Sequence, residues 1–292
     1  MKKIFTFFVA IMATVSALAY EYERPGFEWS AGCDFTTAYL WRGMRWGGMS
    51  FQPDVCVGYA GLSLEAWANI GAVDNSFKEF NPELDMTLQY KAAGLTVGFT
   101  HYYYFDGTKY FGYNKPRFAY DEAGNILRNE DGEIEYKRYN TCQLEVFGKF
   151  ELGEIIEKLP ITFLWSTYIA GDDWKVTENE NDPNDVTFKR AYSSYFEVSY
   201  EAELPLGFSI IPTVGMTPWA SMYNHYENKF SVNNISLKLN WEASLKEVIT
   251  LDIYGIAMLN TAGINKDNVW PSIKNSYGEQ RLNLAAGIGI WF

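Results

Sequence analysis

Apolar and polar side chains alternate along most of this 292-residue chain. From Phe27 to Trp41 the odd positions carry mostly large or apolar side chains, and the even positions up to Thr36 carry Glu, Ser, Gly, Asp and Thr. A period of two is typical of a β-strand with one apolar face. The pattern returns in residues 51–57, 62–70, 84–90, 95–103, 142–150, 161–169, 196–204, 208–216, 235–241, 251–259 and 282–292. The sequence therefore predicts an all-β protein of about twelve strands.

The charged side chains of these segments fall opposite the apolar set of their own strand. The acids are Glu28, Asp34, Asp54, Glu65, Glu83, Asp85, Glu145, Glu151, Glu197, Glu201, Glu203, Glu242 and Asp252, and the bases are Lys91, Lys149, Lys238 and Arg281. A charge facing lipid near the bilayer mid-plane costs ~2 to 4 kcal/mol. We therefore predict a transmembrane antiparallel up-and-down β-barrel with these charges in its lumen. A soluble β-sandwich, which also sorts its two faces, is the alternative.

The connections between the predicted strands alternate in length. Short links such as residues 60–61, 92–94 and 205–207 occupy the even junctions, and longer polar segments such as 106–138 and 171–189 occupy the odd ones. Short periplasmic turns and long external loops are expected of an outer-membrane barrel. Aromatic side chains near strand ends are expected in the interfacial girdles; these are Tyr39, Trp41, Trp241 and Trp291.

The two ends of the chain indicate export to the outer membrane. Residues 1–19 combine two lysines, an apolar run and a small-x-small site, which predicts a signal peptide and leaves residues 20–292 as the barrel domain. The last strand alternates up to the terminal Phe292. This ending is similar to the C-terminal signal that the barrel assembly machinery recognises. The expected partners are outer-membrane lipid and, through Phe292, that machinery.

The stretch from Thr37 to Gly43, followed by Phe51-Gln52-Pro53 and by Trp67-Ala68-Asn69, resembles a family of uncharacterised bacterial outer-membrane proteins. In that family an aromatic-x-aromatic-Arg-Gly motif follows the first strand. The acidic segment Glu83-Leu84-Asp85 and the tyrosine-rich segment from Gly98 to Tyr104 match it as well. The resemblance implies a β-barrel and supplies no established activity, and the insert at 106–138 exceeds its pattern.

Several classes of function are disfavoured by the sequence. The net charge of -12 argues against a nucleic-acid partner, because a polyanion needs a basic footprint. The chain has no glycine-rich phosphate loop, no dinucleotide fingerprint and no histidine or cysteine cluster with metal-ligand spacing. We therefore expect no cofactor.

The sequence contains few candidate catalytic residues. His101 is expected to face lipid in an aromatic belt near the outer rim, and His225 lies in the external loop after the one that holds Asp172 and Asp173. A rim hydrolase with an aspartate pair and a histidine is a minor alternative, and we expect no enzyme. The acidic segment 171–190 offers oxygen ligands for Ca²⁺ but lacks EF-hand spacing, which favours a solvated surface loop.

The leading hypothesis is a passive channel for small solutes with a cation-preferring lumen. Glu145, Glu197 and Glu201 are expected at mid-strand, where a constriction would lie. The alternative is a surface-binding or structural outer-membrane protein without a pore. The residues predicted to line the lumen are Glu65, Asp85, Glu145, Lys149, Glu197, Glu201, Lys238, Asp252 and Arg281.

Overall fold

The protein is described here by a computed structural model. The structure describes residues 26–71, 82–105, 109–130, 132–137, 141–179, 182–224, 226–227, 229–245, 248–261 and 282–292. The predicted signal peptide and Arg281 lie outside these residues. Among the described residues, no helix is long and apolar enough to cross a membrane.

Twelve strands form one closed antiparallel barrel, which confirms the predicted fold class. In chain order they are β1 (Phe27–Thr36), β2 (Ser50–Tyr59), β3 (Leu62–Gly71), β4 (Glu83–Ala92), β5 (Leu95–Tyr104), β6 (Gln143–Glu151), β7 (Ile161–Gly171), β8 (Ser194–Tyr200, continued by Ala202–Glu203), β9 (Phe208–Thr217), β10 (Ser231–Leu245), β11 (Ile249–Leu259) and β12 (Leu282–Trp291). Each strand pairs with the next, and the short and long connections alternate as predicted.

The barrel closes where β12 pairs with β1, from Gly32 opposite Trp291 to Thr36 opposite Gly287. The inner face of β12 carries glycine at positions 287 and 289. A Cβ atom at Gly289 would collide with the carboxylate of Asp34, and one at Gly287 would collide with the ring of Tyr254. The side chains of Asp34 on β1 and Tyr254 on β11 therefore lie over β12 at the two glycine positions.

The barrel is apolar outside and polar inside. Leu237 and Leu284 on the outer face are 50% and 64% exposed, whereas Gln143 and Ser166 on the inner face are at most 2% exposed. A soluble barrel would reverse this arrangement, since its core must bury apolar surface. An apolar outer face of this kind is favourable in contact with lipid. The polar side chains lie in the interior, away from the lipid.

The first strand is shorter than its alternating pattern predicts. It ends at Thr36, and the chain then forms a small hairpin from Tyr39–Trp41 and Met44–Gly47 that turns into the barrel. Tyr39 packs inside against Trp67 of β3, with ring centroids 5.4 Å apart. The prediction that Tyr39 and Trp41 belong to an interfacial girdle is therefore wrong, because both side chains lie within the barrel.

Two of the external loops form ordered hairpins that pack together. The segment 171–190, predicted as a solvated loop, is a hairpin of Trp174–Asn179 and Asp182–Arg190. The insert after β5 pairs Arg117–Phe118 with Tyr136–Lys137. The rings of Phe118 and Phe188 stack at 4.0 Å, and Arg128 contacts Glu178 at 3.1 Å. These contacts hold the two loops against each other.

His101 lies on the outward side of β5 but does not contact lipid. Its cross-strand partners are the apolar residues Met86 and Leu144. The side chain is 6% exposed, because the segment after β5 folds down the wall and places Tyr110 and Tyr113 over it. Its Nε2 lies 2.9 Å from the Tyr110 carbonyl oxygen. The prediction that the His101 imidazole faces lipid is therefore wrong, because the loop after β5 covers it.

Candidate functional site: an arginine hairpin across the lumen

The hairpin after β1, residues 39–47, ends in a two-residue turn that points into the barrel. Its turn residues Arg42 and Gly43 have φ values of 47° and 87°. Two positive φ values in succession are characteristic of the type I′ turn, whose twist suits a β-hairpin. Glycine adopts this conformation without strain, but arginine needs surrounding contacts to hold it there. We call residues 39–47 the inner hairpin.

The guanidinium of Arg42 bonds Glu145 on β6, five strands away from β1. Arg42 Nη1 and Nη2 donate to the two Glu145 carboxylate oxygens at 2.5 and 2.9 Å. Tyr102 donates to the same carboxylate at 2.8 Å, and Arg42 also donates to the Tyr223 hydroxyl at 2.7 Å. The Arg42 and Glu145 side chains are only 10% and 2% exposed. The pair therefore spans the lumen as a buried bidentate contact.

Burial alone would lower the pKa of the Arg42 guanidinium. The Glu145 carboxylate, together with Tyr223 and Tyr102, outweighs that effect and raises the Arg42 pKa well above its ordinary value. The contact is therefore an ion pair. Removing one partner from such a buried pair leaves the other charge uncompensated, at a cost of ~3 to 5 kcal/mol.

Aromatic rings surround this ion pair. The Arg42 guanidinium carbon lies 4.5 Å from the Trp41 ring centroid and 5.1 Å from that of Tyr195. Trp41 in turn packs on Tyr102 and Tyr223, at 6.0 and 5.8 Å. These rings and the inner hairpin fill the outer part of the lumen. We call the buried cluster and the half-buried Trp41 that packs against it the aromatic plug; it comprises Trp41, Tyr102, Tyr168, Tyr195, Met222 and Tyr223.

The tip of the inner hairpin is anchored to the far wall. Asn233 of β10 donates through its side chain to the Arg42 carbonyl at 3.1 Å, and Asn260 donates to the Gly43 carbonyl at 3.0 Å. A Cβ atom on Gly43 would collide with the main-chain oxygen of Asn233. Only glycine fits between the turn and the wall.

Gly43→Ala is expected to destabilise the folded barrel by ~1 to 3 kcal/mol, because it adds both a clash and a strained positive φ. The measurement is the urea midpoint of the protein in lipid vesicles. Gly47→Ala is the matched control on the same hairpin, since a Cβ there meets Tyr39 at an ordinary 3.5 Å. Equal midpoints for the two variants would contradict the close fit of the tip.

A band of carboxylates crosses half of the lumen with one acid on each of five strands. Glu65 pairs with Cys56, two residues from Asp54, and Asp34 pairs with Gln52, also two residues from Asp54. Along the run from Asp85 to Asp34, each acid is thus a diagonal neighbour of the next, within reach of its field, and Asp252 lies in the same row as Asp34. We call this set the acid ladder: Asp85 on β4, Glu65 on β3, Asp54 on β2, Asp34 on β1 and, across Gly289, Asp252 on β11.

Three of the predicted lumen residues lie away from the acid ladder. Glu145 is the third residue of the nine-residue strand β6, so it lies toward the outer end and not at mid-strand. Glu197 accepts a 2.5 Å hydrogen bond from the Tyr195 hydroxyl. Glu201 is exposed beyond the last residue of Ser194–Tyr200. These three acids therefore do not form one constriction.

The predicted basic residues lie away from Glu145. Lys149 contacts Glu151 at 3.3 Å, and Lys91 contacts Glu151 and Glu154. Lys91, Lys149 and Glu154 border a cavity of about 610 Å³ that is lined by the ends of β1 to β6 near the short turns. Lys238 lies over the Tyr254 ring at 4.7 Å, near the acid ladder. A cavity therefore lies at the end of the barrel with the short turns, and the aromatic plug and the inner hairpin lie toward the other end.

The rim residues considered for hydrolysis serve as structural contacts. Asp173 is fully buried and accepts hydrogen bonds from the Ser193 amide and hydroxyl at 2.9 and 2.5 Å. Burial raises the pKa of Asp173, although the bonds from Ser193 oppose that rise. Asp172 is also buried, and His225 lies outside the described residues. In the part of the chain that the structure describes, no group of three or more His, Cys, Asp or Glu side chains is placed to hold a metal ion.

Arg42 is the site residue that the sequence predictions missed. The alternating pattern continues to Trp41, which assigned Arg42 to an external loop. The composition of the loop offered a clue, because Trp41, Met44 and Trp46 are too apolar for a solvated segment. The same residues that carry the family resemblance, including Gln52, Trp67 and Asn69, line the interior beside the inner hairpin.

No family model and no curated protein matches the chain. Among solved structures, it is similar to an outer-membrane channel from Pseudomonas putida F1, at 12% identity with a TM-score of 0.40 over 93% of this chain and 97% of that one. It is also similar to the CymD monoaromatic hydrocarbon channel, at 8% identity, TM-score 0.41 and coverage of 96% and 91%. The NanC porin gives 11% identity, TM-score 0.38 and coverage of 91% and 99%. At these scores the likeness does not indicate what this chain transports or binds.

Proposed function

We propose that the chain is an outer-membrane channel for small solutes that prefers cations, and that the inner hairpin closes its outer end at rest. The observation that carries the proposal is the acid ladder, which lies below the aromatic plug in a polar interior. Carboxylates inside a low-dielectric wall concentrate cations and repel anions. The outer-membrane location is supported by the apolar outer face of the barrel and by the predicted signal peptide.

Glu145 contributes less to this preference than the sequence predicts, because Arg42 neutralises it. By contrast, the five carboxylates of the acid ladder have Lys238 as a nearby base. The carboxylates lie on five of the six strands that run from β4 through β1 and β12 to β11, and they face the lumen together. The field that a permeating ion meets below the plug is therefore negative.

Cation preference is expected to appear as a reversal potential of the corresponding sign in a KCl gradient. The triple variant Asp34→Asn, Asp54→Asn and Glu65→Gln is expected to lose most of it. The preference of the unmodified barrel is expected to weaken at high salt, because screening acts over ~10 Å at 0.1 M. Planar-bilayer recording of the folded protein provides the measurement.

The matched control removes three acids from the external insert, as Glu122→Gln, Glu130→Gln and Glu135→Gln. These side chains are exposed, so the net charge changes equally while the lumen does not. An anion-selective pore, or equal selectivity in the two triple variants, would contradict the assignment of the acid ladder.

A non-channel surface protein is the second candidate. The stacked external hairpins, joined by Phe118 and Phe188, favour it because they form an ordered platform outside the barrel. Heat-modifiable folding without any conductance, in the unmodified barrel and in Arg42→Ala alike, would favour this candidate over the channel.

A further inference from the structure

We propose that Glu145 and the rings around it form a binding site for organic cations that carry a guanidinium group, and that Arg42 occupies this site when the channel is closed. The inference rests on the proposed channel function and names its class of solute. A solute guanidinium would displace Arg42 from Glu145, free the tip of the inner hairpin and enter the lumen.

The groups that bind the Arg42 guanidinium belong mainly to the barrel wall and not to the inner hairpin. Glu145 lies on β6, Tyr102 on β5 and Tyr195 on β8, while Tyr223 follows β9. These four side chains would remain in place if the hairpin left the lumen. The vacated site would expose a buried carboxylate that already accepts a hydrogen bond from Tyr102.

The geometry favours a planar cation over a spherical one. Both carboxylate oxygens of Glu145 accept from one guanidinium, in the parallel arrangement that an ammonium or a sodium ion cannot reproduce. Tyr195 and Tyr223 hold their ring centroids 5.1 and 5.9 Å from the guanidinium carbon. Rings at that range attract a cation through their faces.

Acidic side chains lie around the site once Arg42 is removed. Asp85 on β4 pairs with Tyr102 on β5, which donates to Glu145. Glu197 bonds the Tyr195 hydroxyl at the other side of the site. The lysines on β4 and β6 are engaged at the periplasmic end, where Lys91 and Lys149 contact Glu151. An incoming cation would replace the charge that Arg42 supplies.

The test uses ethylguanidinium chloride as the probe and the full-length folded barrel as the protein. Arg42→Ala is expected to bind ethylguanidinium in calorimetry and to melt at a higher temperature in its presence, because a ligand of the folded state stabilises it. Affinity in the double variant Arg42→Ala with Glu145→Gln is expected to fall at least tenfold. The unmodified barrel is expected to bind more weakly than Arg42→Ala, because its own arginine competes.

Ethylurea is the uncharged control of similar shape, and it is expected not to bind. Arg42→Gln is a second variant that retains a polar side chain, in case alanine lets the inner hairpin collapse. The proposed site would be overturned if Glu145→Gln left the ethylguanidinium affinity unchanged in both the Arg42→Ala and the Arg42→Gln variants. A cation-selective pore that ignores ethylguanidinium would reject this inference and leave the channel intact. Glu145-dependent binding in a barrel that never conducts would reject the channel and retain the binding site.

Discussion

Arg42→Ala is expected to raise the single-channel conductance of the barrel several-fold. The substitution removes the guanidinium from the lumen together with its contacts to Glu145 and Tyr223. Loss of a buried ion-pair partner costs ~3 to 5 kcal/mol, which corresponds to a change of ~100-fold or more in the ratio of closed to open states. The inner hairpin should then leave the outer opening for much of the time. Planar-bilayer recordings at equal salt measure the effect.

Arg45→Ala is the matched control, because it removes the same charge from the same hairpin. Arg45 bonds the Gly47 carbonyl within the hairpin, at 3.3 Å. It is expected to leave conductance near that of the unmodified protein. Glu145→Gln is expected to increase conductance as Arg42→Ala does, and the double variant should add little to either. If the two arginine variants conduct equally, the Arg42 contact is not what closes the lumen.

A charge on the outer face is expected to destabilise the barrel strongly. Leu237 lies midway along β10 and is 50% exposed on the apolar side. Leu237→Arg is expected to lower the free energy of unfolding in lipid vesicles by ~2 to 4 kcal/mol, since the guanidinium would lie near the bilayer mid-plane. Urea titration followed by tryptophan fluorescence measures the loss.

Leu245→Arg serves as the depth control on the same face of the same strand. Leu245 is 51% exposed and ends the strand at the periplasmic side. An arginine there is expected to cost ~0 to 1 kcal/mol, because the side chain reaches the interface. Equal losses at both positions would mean that β10 does not cross the bilayer as described.

The barrel was predictable from the sequence because lipid imposes a simple local pattern. Each strand must alternate, and each charge must avoid the outer face, so both rules can be read one strand at a time. Glu65 and Asp252, for example, follow from their position opposite the apolar residues of β3 and β11. The turns at Ala60 and Ala93 are equally local features.

The plug was not predictable by the same reasoning. Alternation continues from β1 through Tyr39 and Trp41, so the pattern gives no sign that the chain leaves the wall at Thr36. The partner of Arg42 is 103 positions away along the chain, and no local rule pairs them. His101 shows the same limit, because its outward direction followed from alternation while the loop that covers it did not.

The two glycines on the inner face of β12 bear on how the barrel forms. Strands β1 and β12 come from opposite ends of the barrel domain, so their pairing closes the longest loop in the fold, and loop-closure entropy places that step late in folding. A side chain at position 287 or 289 would have to pass Asp34 or Tyr254 as the last strand slides into register. Glycine at both positions leaves room for the backbones to meet and for the Asp34 carboxylate and the Tyr254 ring to lie over the strand. The pairing of β1 with β12 therefore suits a strand that joins the barrel after the other strands have paired.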